Sequence, residues 1–250
     1  MDQQIWGFIF GGLAGGLVAF FGKGAEKWFI DFRLNEAVEA RRKIRQYSKP
    51  LWLDCHELEF RLLHILKKSN SARSYNDMVS LTHIPREGNR PLEWYTKEGY
   101  YMSSTAYLIA SVACWIRIFE REIVFLNFRK NSLTARFYSM IEKLKQEFSN
   151  EDSPLYYYYF NGIGERLIAE SGERPLGIAE FTHRLCRNNE FAEYYDQLFQ
   201  YIRFLAVNQT KDMIIRIANN LKEIQKFLES NGAVPIRQDT PDYEPSPEIC

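Results

Sequence analysis

Histidines and cysteines, the side chains that most readily act as metal ligands, bases or nucleophiles near neutral pH, are few and scattered along the chain. There are four histidines (His56, His64, His83, His183) and four cysteines (Cys55, Cys114, Cys186, Cys250). His56 and His64 are eight residues apart, so a helix would place them two turns apart on one side, with Cys55 and Glu59 nearby. A helical zinc site wants ligands at the spacing of HExxH or ExxH, and neither spacing occurs. No CxxC pair is present, so the cysteines form neither a disulfide framework nor a metal motif. Reduced thiols in a cytosolic compartment are expected. GxSxG and kinase signatures are absent. Gly16, Gly22, Lys23 and Gly24 imitate a phosphate loop, but the spacing is one residue too long and Gly24 replaces the required hydroxyl. Arg61 and His64 are separated by two residues, too few for a helical ribonuclease of the HEPN type. The expectation is therefore a protein without a recognisable catalytic centre, metal or cofactor.

One charged constellation remains. Arg61 falls on one expected helix, and Arg117, Glu120, Arg121 and Glu122 on another. Facing helices would let these groups pair inside a bundle, an arrangement that is usually architectural and occasionally marks a pocket. Arg61, Arg117, Glu120 and Glu122 are the candidate buried cluster, with Arg61 and Glu122 the first to test.

The elements that would position such groups are helices. The chain is 46% hydrophobic with a formal net charge of zero, enough for a sizeable core and without the basic field that nucleic-acid binding requires. No segment shows sustained strand alternation, and no repeat is visible. After Pro50, Leu51, Cys55, Leu58, Leu62, Ile65 and Leu66 form one helical stripe in Leu51–Lys68. Residues 69–90 read as a loop rich in Ser, Asn, Gly and Pro. A long helix is expected over Leu92–Phe128. Its uncharged portion, Gly99–Ile116, contains three serines and a threonine and reads as the central buried helix of a bundle rather than a second span. Further helices are expected over Ser132–Phe148, Ile163–Ser171, Ile178–Arg187, Glu190–Val207 and Gln209–Ser230, the last striped by Met213, Ile214, Ile217, Leu221, Ile224 and Leu228. The run Tyr156–Phe160 reads as a helix entry. The tail, 231–250, is acidic and proline-rich and is expected to be disordered.

The strongest single signal lies at the N-terminus. Ile5–Gly22 contains 18 residues without a charge, which as a helix would span roughly 27 Å, close to a bilayer core. Trp6 and Trp28 suit the two interfaces. No Lys or Arg precedes the run, so it lacks the charged start of a signal peptide. Gly7, Gly11, Gly15 and Ala19 recur every four residues, a small-residue stripe that permits close helix–helix packing in lipid. Between 23 and 49 come eight basic and four acidic residues. That asymmetry predicts an N-terminus outside and a cytoplasmic body. Arg41, Arg42, Lys43 and Arg45 are candidates for contact with anionic lipid headgroups. The expected organisation is a short extracytoplasmic start (1–4), a transmembrane helix (5–22), a basic juxtamembrane helix (23–49) ending before Pro50, a helical bundle (50–230) and the tail.

Several blocks resemble a bacterial family of uncharacterised helical proteins that often carry an N-terminal membrane helix. The first is Tyr47-Ser48-Lys49-Pro50-Leu51 followed by Glu57-Leu58-Glu59, Arg61-Leu62-Leu63 and Ile65-Leu66. The second is Tyr101, Ser104-Thr105, Tyr107-Leu108, Ala110 and Trp115, with Glu120, Glu122 and Phe125-Leu126. The third is Gly164-Glu165-Arg166 with Asn220-Leu221, Ile224 and Phe227-Leu228. The resemblance covers most of residues 47–230 and implies the architecture, with no activity to carry over.

The functional expectation is a membrane-anchored, non-enzymatic interaction protein of the inner membrane. It would have the lipid bilayer, further copies of itself and a cytoplasmic protein as partners. The alternatives are an oligomeric membrane-perturbing or pore-forming effector and an enzyme with an unrecognised helical pocket.

Overall fold

The computed structural model describes residues 35, 38–39, 42–67, 90–123, 131–149, 153–207, 210–231 and 234. The chain divides into two compact units, Met1–Ile44 and Arg45–Cys250. The expected span Ile5–Gly22, with Gly7, Gly11, Gly15 and Ala19, lies outside the described residues, as do Arg41, the loop 69–89 and the tail after 234. In the first unit Arg42 is exposed and Lys43 half-buried on helical residues. Arg45, exposed, begins the second unit.

That unit is all-helical among the described residues. Helix α1 covers residues 45–67 here. Next come α2 (Leu92–Thr96), α3 (Tyr100–Ile123), α4 (Asn131–Phe148), α5 (Tyr157–Arg166), α6 (Ile178–Arg187), α7 (Asn189–Val207) and α8 (Lys211–Ser230). Helix α3 is the spine. It packs against α2, α5, α6 and α7, while α4 packs against α5 and α8. Met102, Ala106, Ile109, Ala110, Val112, Ala113 and Ile116 are all buried, so α3 is apolar nearly all round. Among the described residues Tyr100–Glu122 is the one helix long and apolar enough to cross a membrane, and 89% of that window is buried inside the body. Burial against protein satisfies its apolar surface without lipid.

Three boundaries differ from the sequence expectation. First, α1 runs through Pro50 instead of breaking there. A mid-helix proline lacks an N–H and crowds the carbonyl four residues earlier, at a cost of about 3 kcal/mol. Burial of Tyr47, Leu51, Trp52 and Cys55 on both sides offsets that cost. Second, the long helix expected over Leu92–Phe128 is interrupted at Lys97–Gly99, between α2 and α3. Gly99 closes this turn: its N–H donates to the Trp94 carbonyl at 2.7 Å, and a Cβ on it would meet the Trp94 ring at 2.6 Å. Ser103 then donates to the Tyr95 carbonyl at 2.9 Å and locks the corner. Third, the expected helix Ile163–Ser171 instead starts at Tyr157 and stops at Arg166. Ile168 and Pro175 form an antiparallel bridge around a tight turn, with Gly172 at φ +73°.

The stripe residues on α1 and α8 face inward as their periodicity predicts. Leu51, Cys55, Leu58, Leu62 and Ile65 are buried, as are Met213, Ile214, Ile217, Leu221, Ile224 and Leu228. Leu66 is half-buried.

Candidate functional site

Helices α1 and α3 run antiparallel along a seam that carries polar groups at heptad spacing. At one end, the Tyr47 ring lies 6.4 Å from that of Trp115 and 6.1 Å from Phe119. Seven residues along α1, the Asp54 carboxylate accepts hydrogen bonds from the Ser111 hydroxyl and, at 2.9 Å, from Trp115 Nε1. Seven residues further, Arg61 Nη1 donates to Ser104 Oγ (2.9 Å), Thr105 Oγ1 (3.2 Å) and the Tyr101 carbonyl (3.2 Å). Two turns of helix return a side chain to the same face, which is why positions 47, 54 and 61 all meet α3. The seam thus holds one negative and one positive group. A hydroxyl and an indole N–H solvate Asp54, and two hydroxyls and a carbonyl solvate Arg61, rather than an opposite charge.

The Arg61 end opens into a pocket of about 480 Å³ lined by His56, Glu57, Phe60, Arg61, His64, Tyr101 and Leu108. The Arg61 guanidinium sits 4.3 Å from the centroid of the Tyr101 ring. A hydrogen bond of 2.6 Å joins the Tyr101 hydroxyl to His64 Nδ1, and the His64 ring lies parallel to Phe60 (7°, centroids 6.5 Å apart). His56 stacks on Trp52 (9°, 5.3 Å), and its Nδ1 lies 3.3 Å from Gln225 Oε1. Gln225 donates in turn to Glu59 at 2.7 Å, and Trp52 Nε1 donates to Glu229 at 2.8 Å, so α8 fixes this side of α1. His56 and His64 therefore share one pocket, each tied to a neighbour. Among the described residues no group of three or more His, Cys, Asp or Glu is placed to hold a metal ion.

Burial pushes the Asp54 carboxyl up to about 6; its bonds from Ser111 and Trp115 oppose the shift and the nearby Glu57 charge adds to it. Burial, reinforced by Asp54, also pushes the Cys114 thiol up to about 12, and Cys55 is raised for the same reasons. Neither thiol is activated as a nucleophile. The raised Asp54 value has a consequence for stability. The folded state holds this proton more tightly than the unfolded chain, whose carboxyl titrates near 3.8. The proton's stabilisation is complete below about pH 4 and is lost as pH rises through about 6. Asp54→Asn keeps an acceptor for Ser111 and Trp115 and removes the buried charge. It is expected to stabilise the protein by about 1–2 kcal/mol at pH 8, discounted for partial solvation, and by nearly nothing at pH 4. Thermal melts of both proteins across that range measure the difference.

The expected cluster of Arg61 with Arg117, Glu120 and Glu122 is not formed. Arg61 turns to the opposite end of α3 and meets no acid. Arg117 pairs with Glu120 at 2.6 Å and with Glu165 of α5. Glu120 also pairs with Lys145 of α4, which reaches Glu142 at 3.1 Å; Glu142 accepts from the Tyr157 hydroxyl at 2.5 Å. Glu122 lies 3.4 Å from Arg121, whose guanidinium also donates to the Gly172 carbonyl. This network ties α3 to α4 and α5 and is architectural. Helix geometry explains the split: positions 101 and 117 of one straight helix lie roughly 24 Å apart, so Arg61 cannot serve both ends.

Sequence reading missed Asp54, Tyr101 and Lys145. Asp54 sits in a run, LWLDCHEL, whose polar positions read as the solvent face. Its one available signal was Ser111, the one serine in the run Tyr107–Trp115 of α3. Arg90 was missed as well: it is buried, paired to Asp196 at 2.8 Å and placed over Trp94 and Phe199. Comparison with family models, curated proteins and solved structures returns no match to this chain.

Proposed function

We propose that this chain is a single-pass membrane-anchored helical interaction protein. Ile5–Gly22 spans the inner membrane with the N-terminus outside, its stripe Gly7, Gly11, Gly15 and Ala19 gathers copies of the protein, and the body meets a protein partner in the cytoplasm. The observation that carries the reading is the uncharged run of 18 residues followed, up to residue 49, by eight basic and four acidic residues. The body adds support. Leu53 and Leu63 are 41% and 42% exposed on α1, apolar side chains where a solvent-facing helix would carry polar ones.

Crosslinking of the full chain in membranes tests the self-association. Wild-type protein is expected to give dimers or larger species. Gly11→Leu combined with Gly15→Leu is expected to reduce them at least about tenfold, because close backbone approach is lost. Unchanged crosslinking in that variant, with the protein still in the membrane, would remove self-association through the stripe from the account.

A further inference from the structure

We infer that the pocket between α1 and α3 binds a small organic anion with a flat ring, of the nucleoside monophosphate class, its phosphate on Arg61 and its base on Phe60. This goes beyond the anchoring reading and does not depend on it.

The argument begins with Arg61. Among the described residues it is the one arginine that is shielded from solvent and has no carboxylate partner. Arg90 is held by Asp196, Arg117 by Glu120 and Glu165, and Arg184 by Glu180. Every hydrogen bond Arg61 makes uses Nη1. The Nε–H and the two Nη2 protons remain, and they form the edge of the guanidinium that grips a phosphate through two parallel bonds. Tyr101 beneath the guanidinium and three oxygens on Nη1 hold that fork in place before any ligand arrives, so less is lost on binding. A positive group held by neutral partners in a cleft is the arrangement expected where the missing negative charge comes from a ligand.

The rest of the pocket favours a ring. Its volume falls within the range of small-molecule sites. Phe60 is 67% exposed on the rim, beside the parallel His64 ring. The exposed ring offers a stacking face, and a base stacking on an aromatic side chain gains about 1–3 kcal/mol. Glu57 also lines the pocket, one helical turn from Arg61. Its carboxylate suits ribose hydroxyls or an exocyclic amine, and its charge disfavours a polyphosphate. A monophosphate therefore fits better than a triphosphate.

Calorimetric titration of the full chain in detergent with AMP, CMP, ATP, adenosine and inorganic phosphate tests the inference. The expected result is saturable 1:1 binding of AMP or CMP, with adenosine, phosphate and ATP each at least about tenfold weaker. Phe60→Ala, at an exposed position that leaves the core intact, is expected to weaken binding about tenfold. Arg61→Lys, which keeps the charge and loses the fork, is expected to weaken it similarly. Absence of saturable binding by the wild-type protein would overturn the inference, as would equal affinities in wild type, Phe60→Ala and Arg61→Lys. Binding of vesicles containing phosphatidic acid, with no binding of AMP or CMP, would also overturn it and assign the phosphate recognition to a lipid headgroup. None of these outcomes bears on whether Ile5–Gly22 spans the membrane, so failure here and failure of the anchoring reading are separable.

Discussion

Lys145→Met is expected to destabilise the fold by about 2–3 kcal/mol, because it removes one of the two cations held against the half-buried Glu120. The Lys145 side chain is 3% exposed and its ammonium bridges Glu120 and Glu142. Glu120 is itself 18% exposed at its side chain, so water replaces little of what the lysine supplies. Methionine fills the volume, which isolates the electrostatic loss from a cavity. Glu142 keeps the Tyr157 hydroxyl, and Glu120 keeps Arg117, so the fold is weakened rather than abolished. Adding Glu120→Gln removes the charge that Arg117 alone would then balance and should recover about half of the loss. Denaturant unfolding of the two variants and wild type measures both steps. Equal instability in the single and double variants would show that Lys145 acts by packing and not by charge.

Gly164→Ala gives the second large effect, with a sign opposite to helix propensity. Alanine in a helix is normally better than glycine by about 1 kcal/mol. At Gly164, in α5, a Cβ would lie 2.6 Å from the backbone carbonyl carbon and oxygen of Ala113 and 2.9 Å from the Cys114 nitrogen in α3. The obstacle is the main chain of a buried helix, which cannot swing aside, so the two helices must separate. The expected net loss is about 3 kcal/mol, the upper end for overpacking. Gly162→Ala, two residues earlier, provides the contrast. Its obstacle is the far end of the Tyr194 side chain, which can rotate away. The Gly162 variant should melt within a few degrees of wild type, and the Gly164 variant well below it.

Much of the fold was legible because helical periodicity is a local property. The stripes on α1 and α8 follow from apolar residues at three- and four-residue spacing, and burial confirms them. Breaks were harder to read where their cause is a contact. Between Trp94 and Tyr100 the local signal of a break is Gly99 alone, and the turn there depends on the Trp94 ring lying across it. Pro50 carried the opposite message: local chemistry says stop, and the buried residues on either side carry the helix through. The candidate site was half legible. Arg61 was readable as a charge that a facing helix could pair, but a side chain's partner across the bundle depends on how two helices align. That alignment takes Arg61 to Ser104, Thr105 and Tyr101 and leaves Glu120 to Arg117 and Lys145. Asp54 and Ser111 are 57 positions apart, and neither reveals the other until α1 and α3 are antiparallel.

The central claim is that Ile5–Gly22 holds this helical body at a membrane. Carbonate washing of membranes from cells that make the full tagged chain tests it most directly. The account predicts that the protein stays in the pellet after the wash, and that replacing residues 5–22 with a polar linker releases it. Full release of the unaltered chain into the soluble fraction would contradict the account.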